Sequence, residues 1–166
     1  MDNELIKRAK SGDKDAFASL YTAYKDKLYR YAYFKLNDPD DAMDAVSSCI
    51  TEAYLGIASL KSEKAFSTWI FKILYRQCCT ILKKRFTDAG TLNLFEIDIE
   101  APDNTVVASE LKEALAILYE DEKDIVLLSV VAGYTSKEIA EMLGLKASTV
   151  RSKQSRALAK MRKFLE

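Results

Sequence analysis

Over most of its length this chain repeats apolar residues at intervals of three and four, and that period restricts it to helices. Phe17, Leu20, Tyr21, Tyr24, Leu28 and Tyr31 form the first long series. At 3.6 residues per turn these positions return to one side, so they predict a helix with a single buried face. A shorter helix precedes it and is stopped by Ser11-Gly12. The run "NDPDD" ends the long series, with Asp38 suited to cap a new helix and Pro39 to open it. Ala42, Ala45, Val46, Cys49, Ile50, Ala53, Tyr54 and Ile57 then continue the period. A third series starts near Ala65 with Phe66, Trp69, Ile70, Ile73 and Leu74, extended by Cys78 and Ile81, while Lys72, Arg76, Lys83, Lys84 and Arg85 fall largely off it. Only the short "LFEIDIE" near residue 97 alternates as a strand would. The expected fold class is all-α.

Charge divides the chain. The 166 residues carry no net charge, yet residues 1–86 hold 15 Lys/Arg against 11 Asp/Glu, residues 87–108 hold five acids and no base, and residues 109–166 hold ten bases against nine acids. The middle segment has no sustained helical period and contains Pro102, so it reads as an acidic linker between two small helical domains, 1–86 and 109–166. With 49% hydrophobic residues the chain can bury a core.

Several functions are disfavoured. No apolar run approaches the roughly 20 residues that span a bilayer, and "MDNELIKRAK" lacks the apolar segment of a signal peptide, so a cytoplasmic location is expected. Cys49, Cys78 and Cys79 make no CxxC pair and histidine is absent, which argues against a zinc site or a disulfide framework and for core thiols. There is no GxxxxGK[ST] loop and no GxSxG, and Asp40/Asp41 stand at a helix start without acid-base partners. Neither an enzyme, nor a cofactor, nor a small-molecule substrate is expected.

The C-terminal part carries the most specific pattern. Helical periods near 109–119 and 121–132 are followed by Gly133, then by a short helix whose apolar side is Ile139, Ala140 and Leu143, ended by Gly144. A second helix follows, expected to be capped by Ser148 and to start at Thr149, with Val150, Ala157 and Met161 inward and Arg151, Lys153, Arg156 and Lys160 outward. Seven bases and no acid lie from Lys146 to Lys163. A small Ala140 at the crossing and a glycine at the turn make this a helix-turn-helix, whose second helix can enter the major groove of DNA. A basic run alone is an ordinary solvated face; the spacing of Ile139, Ala140, Leu143, Gly144, Leu145 and Val150 is what points to DNA.

Both ends of the chain together resemble the extracytoplasmic-function (ECF) sigma factors of bacterial RNA polymerase. "YTSKEIAEMLGLKASTVRSKQSRALAKMRKFL" is similar to their promoter-reading domain, and "LIKRAKSGDKDAFASLYTAYKDKLYRYAYFKLNDPDDAMDAV" to their polymerase-binding, DNA-melting domain. The resemblance implies that the helix from Asp40 to Ile57 docks on the clamp helices of the polymerase β′ subunit through Asp41, Asp44 and Ser48. It implies that the segment from Lys61 to Arg76 opens and holds the −10 element. There Lys61, Lys64, Ser67, Lys72 and Arg76 are candidates for phosphates, and Trp69 for a base or for the core. Reading of the −35 element falls to Arg151, Ser152, Lys153, Ser155 and Arg156, with Lys146 and Ser148 on the adjacent backbone. The linker would run through the polymerase cleft, and an anti-sigma factor is an expected partner of an otherwise monomeric chain.

Three departures from the family pattern bear on these roles. "DAMDAVSS" stands where a more acidic "DAEDLVQE"-like run is common, with Met43 in place of Glu and Ser47-Ser48 in place of Gln-Glu, and a weaker or rearranged polymerase contact is the expectation this raises. Leu118-Tyr119 replaces a Leu-Pro before the promoter-reading helices. Gln154 occupies a usually apolar position and either faces DNA or packs at a partly exposed site. The rival reading is a sigma-like DNA-binding regulator that does not engage core polymerase.

Overall fold

The computed structural model describes residues 3–89 and 105–166. Eight α-helices account for nearly all of them, and no strand occurs among the described residues. The "LFEIDIE" stretch lies outside them. In the N-terminal half α1 (Asn3–Lys10) leads through Gly12, at φ 99°, into α2 (Lys14–Leu36), followed by α3 (Pro39–Gly56) and α4 (Phe66–Ala89). Two 3₁₀ turns, Ile57–Ser59 and Glu63–Ala65, connect the last two. In the C-terminal half α5 (Thr105–Ala116), α6 (Glu120–Val126), a π-helical turn (Leu127–Val131), α7 (Ser136–Leu143) and α8 (Ala147–Leu165) follow in order. Helix therefore extends into both ends of the 87–108 segment.

Local chemistry fixes the breaks. Asp13 caps α2 by accepting from the Ala16 N–H at 3.1 Å. Asn37 ends α2 in the left-handed conformation, which Asn tolerates better than most residues. Asp38 then accepts from the N–H groups of Asp40 and Asp41 at 2.8 and 3.2 Å, with Pro39 at the first helical position. Leu118-Tyr119 makes a workable turn without proline: Tyr119 caps α6, and its N–H donates to the Glu122 carboxylate at 3.1 Å.

The expected stripes are buried at Phe17, Leu20, Tyr24, Leu28 and Tyr31, at Ala42, Ala45, Val46, Cys49, Ala53 and Ile57, and at Phe66, Ile70, Ile73, Leu74 and Cys78. Tyr21 and Tyr54 stand on the exposed margins instead, 36% and 44% accessible. The two buried thiols are core groups: burial pushes both Cys49 and Cys78 up to about 12. Each large apolar side chain so buried contributes roughly 2 kcal/mol.

One run departs from a single-faced helix. Tyr31 to Leu36 is buried without interruption, because the end of α2 is covered by α3 and α4 on one side and by the C-terminal half on the other. Lys35 is only 4% exposed there. Its ammonium pairs with Asp124 at 2.5 Å and with Glu120 at 2.9 Å. Tyr31 Oη lies 3.4 Å from the Asp124 carboxylate, and Lys123 Nζ reaches the Lys35 carbonyl at 3.5 Å. Burial alone disfavours the Lys35 ammonium, but Asp124 and Glu120 outweigh it and hold its pKa above the usual lysine range. Lys123, with weaker compensation, is lowered by burial.

A second contact joins the halves beside this one. Tyr134 meets Phe71 edge to face, centroids 5.2 Å apart, and donates to the Ser67 carbonyl at 2.9 Å, with the Ser67 hydroxyl 2.7 Å away. Phe71 is fully buried between Tyr31 and Tyr134. Arg85 also binds elements together, pairing with Asp41 of α3 and donating to the Leu36 carbonyl at the end of α2 at 2.9 Å.

Two outcomes test these local assignments. Replacing Asp38 by Ala removes an acceptor shared by two helix N–H groups and should lower stability by about 1 kcal/mol in urea denaturation; an unchanged midpoint would refute the cap. At Gly144, where φ is 69° and a Cβ would meet nothing within 4 Å, Gly144→Val should destabilise and Gly144→Asn should be tolerated, because the penalty is backbone strain and not a clash.

Candidate nucleic-acid interface

The helix-turn-helix is built from local signals. Thr135 and Glu138 form a capping box: the threonine hydroxyl accepts from the Glu138 N–H at 3.2 Å, and the glutamate accepts from the Thr135 N–H at 3.0 Å. Gly144 turns the chain in the left-handed conformation, and the Leu145 N–H donates to the Ala140 carbonyl at 2.9 Å. The second helix begins earlier than its sequence suggests. Lys146 is the N-cap, its extended backbone offering its carbonyl to the Val150 N–H at 3.0 Å, so Ser148 lies inside the first turn rather than capping it.

Val150, Ala157 and Met161 anchor α8 inward. The opposite side exposes Lys146, Ser148, Arg151, Ser152, Ser155 and Arg156. Lys146, Arg151 and Arg156 have no ion pair among the described residues. Arg162 and Lys163 in the last turn are likewise exposed, whereas Lys153 is half-buried and pairs with Asp121, and Lys160 pairs with Glu122 at 2.9 Å while lying 4.5 Å from the Tyr119 ring centre. The hydrogen bond from Lys153 holds the Asp121 carboxyl below its usual range. Gln154 packs, donating to the Ser129 hydroxyl at 2.8 Å on the π-helical turn. The basic helix thus has one edge tied to α6 and one face free to meet phosphates or base edges.

The other candidate surface lies on α4 and the turns before it. Lys61, Lys64 and Lys72 are exposed and make no ion pair among the described residues. Arg76 is engaged, pairing with Glu52 at 3.0 Å. Trp69 is half-buried, its ring tilted against Phe66 at a centroid distance of 5.9 Å, and it also lines an open cleft of about 360 Å³. Leu60, Lys61, Thr68 and Lys72 line the same cleft, and Glu141 and Met142 of α7 close its far side. Ser67 does not face open solvent; it is held by Tyr134.

On α3, Asp44 and Ser48 are exposed one turn apart. Asp41 is half-buried and committed to Arg85. Two apolar side chains share this exposed region, Met43 of the departing run at 56% and Leu55, which the sequence did not single out, at 77% accessible. The signal for Leu55 is present only as an apolar side chain off the core stripe.

Comparison with known proteins fits this geometry. Residues 20–86 match the sigma-70 region 2 family and residues 108–161 match sigma-70, region 4. The chain is 29% identical to the ECF RNA polymerase sigma factor SigW of Bacillus subtilis, over 99% of this chain and 97% of that protein. It is 28% identical to the ECF sigma factor SigM of Mycobacterium tuberculosis, over 99% and 84%, and 29% identical to the ECF sigma-E factor of Haemophilus influenzae, over 94% and 90%. Two solved structures share the fold at a TM-score of 0.79 and 21% identity: CnrH in complex with the cytosolic domain of CnrY, covering 99% of this chain and 96% of that one, and the sigma factor RpoE of Bartonella quintana in complex with the anti-sigma factor NepR, covering 90% and 96%. With both sigma regions in order along a chain that its relatives match almost from end to end, this protein belongs to the extracytoplasmic-function family of RNA polymerase sigma factors.

Proposed function

We propose that this sigma factor reads its promoters through two separate faces and performs no chemistry itself, acting on cytoplasmic core polymerase. The observation that carries the reading is the unpaired face of α8. Arg151, Ser152, Ser155 and Arg156 project together from the first half of a helix in which Lys153 and Lys160 are already paired with acids. That face enters the major groove at the −35 element, Lys146 and Ser148 hold the flanking phosphates, and Lys153 steadies the helix through Asp121 at the edge of the contact.

At the −10 element Lys61, Lys64 and Lys72 meet phosphates, and the cleft beside Trp69 receives an unstacked base, with Ser67 and Arg76 at its border. Stacking on an aromatic face suits a base of any identity, at about 1–3 kcal/mol. Asp44 and Ser48 form the polar part of the β′ clamp contact, which Met43 and Leu55 extend with apolar area. Asp41 supports this surface by fixing α3 to Arg85. The RpoE relative is solved with an anti-sigma factor, and an anti-sigma partner is proposed here as well.

Transcription in vitro with core polymerase of the source bacterium tests the assignment directly: the chain should confer initiation at specific promoters, and binding of promoter DNA without any affinity for core would instead make it a stand-alone regulator. Within a competent holoenzyme, Arg151→Ala should cost about 1–3 kcal/mol where the side chain pairs with a base, and relax preference there. Lys146→Ala should weaken all promoters alike and reduce the salt slope by about one. Asp44→Lys should weaken core binding while helicity survives; unchanged core affinity would remove the proposed docking surface.

A further inference from the structure

One flank of the promoter-reading helix is neutralised from within its own domain, by two acids of different standing. Lys153 and Lys160 lie two turns apart on that flank of α8, and Lys153, three residues before Arg156, borders the free face. Their partners are Asp121 and Glu122, successive residues in the first turn of α6. Glu122 serves the fold: its side chain is 7% exposed and accepts from the Tyr119 N–H at the start of α6. Asp121 does not. Its side chain is 46% exposed, with one carboxylate oxygen accepting from the Glu122 N–H at 2.8 Å and the other holding the Lys153 ammonium. A pair so exposed adds little to stability, so its consequence lies in what it does to Lys153.

Contacts to phosphate add affinity without reading sequence, and each adds about 0.9 to the salt slope whatever the bases are. A lysine at the border of the free face, on a flexible four-carbon stem, can supply one more such contact. Here it is withheld. The carboxylate that holds it is fixed by a backbone N–H at the positive end of α6, which favours an anion there. Trading that carboxylate for a phosphate would leave it bare beside a polyanion, which repels it. We propose that Asp121 is a positioning residue that sets the sequence-independent part of −35 affinity: it keeps Lys153 off the DNA backbone, so that the first half of α8 grips DNA through Lys146, Arg151 and Arg156.

This inference rests on the −35 reading of α8, and the test separates the two. Holoenzyme reconstituted with core polymerase is measured on promoter DNA with native and scrambled −35 sequences, from about 50 to 200 mM salt. Asp121→Asn keeps an acceptor for the Glu122 N–H and frees Lys153. It should strengthen binding to both sequences, leave the preference between them unchanged and steepen the salt slope by about one, so that the gain shrinks about threefold across that range. Asp121→Asn with Lys153→Gln removes both charges and should return the slope to the wild-type value. A merely structural pair would weaken binding in both variants and steepen neither slope. Should Asp121→Asn fail to fold, Asp121→Ser, which also keeps an acceptor, replaces it. A wild-type slope in the folded single variant would overturn the inference; so would a slope reduced by about one in the double variant, since Lys153 would then already hold a phosphate. Arg151→Ala, measured in parallel, reports on the reading beneath. If it alters −35 preference while Asp121→Asn leaves the slope unmoved, this inference alone fails; a wild-type holoenzyme indifferent to the −35 sequence would overturn both.

Discussion

A buried lysine organises this molecule. Lys35 closes α2, where a cation suits the carbonyl end of a helix, and it is removed from water between two carboxylates that belong to the other half of the chain. Such a group is tolerable only when its charge is matched. Removing one member of a buried pair costs about 3–5 kcal/mol, although exchanging the whole pair for well-packed apolar groups is often neutral or favourable. The pairing therefore does little to raise stability and much to dictate geometry: α6 can pack against α2 in the register that brings Asp124 and Glu120 to Lys35, and displaced registers leave a charge buried alone.

The same logic of matched charge sorts the seven bases between Lys146 and Lys163. Asp121 and Glu122, in the first turn of α6, suit the positive end of their own helix and also reach across to Lys153 and Lys160 of α8. The Lys153–Asp121 pair lies near the surface, where such a pair is worth about 1 kcal/mol or less, while Lys160 covers a Glu122 carboxylate that is itself buried. Their larger consequence is selection of a face. Among the described residues Lys146, Arg151 and Arg156 stay unpaired, as do Arg162 and Lys163 in the last turn, and an unpaired cluster of cations on a rigid helix is what a polyanion can use.

Helix positions and the main core were legible because they follow from period and caps, which are local. The stripe from Phe17 to Tyr31, the Asp38-Pro39 start and the Gly144 turn all rest on interactions spanning a few residues. Sequence failed where burial has two sides. Phe71 belongs to no stripe on α4 because it serves a second interface, and Tyr31 to Leu36 reads as an amphipathic end although every residue is covered. The clues were a lysine inside the apolar run "YAYFKL" and an aspartate before "IVLL", each compatible with an exposed edge. Nothing local says that residues 35 and 124 meet. Among the site residues, Arg151 and Arg156 stand where helical geometry puts them, whereas the ties of Asp41 to Arg85, Lys153 to Asp121 and Ser67 to Tyr134 come from neighbours distant in sequence. The early start of α8 reflects a backbone cap at Lys146, which needs no capping side chain and so leaves no signature.

An interface built from these groups has a particular mechanical character. Tyr134, Phe71 and the Lys35 cluster give it specificity through few contacts, and among the described residues every buried side-chain nitrogen and oxygen has a hydrogen-bond partner. Opening would return the lysines and carboxylates to water, where hydration replaces much of what the pair supplied. Apolar packing of equal area would have no such compensation, since exposed hydrocarbon gains nothing from solvent. A joint rich in ionisable groups is thus fixed in register by its charges more than it is strengthened by them.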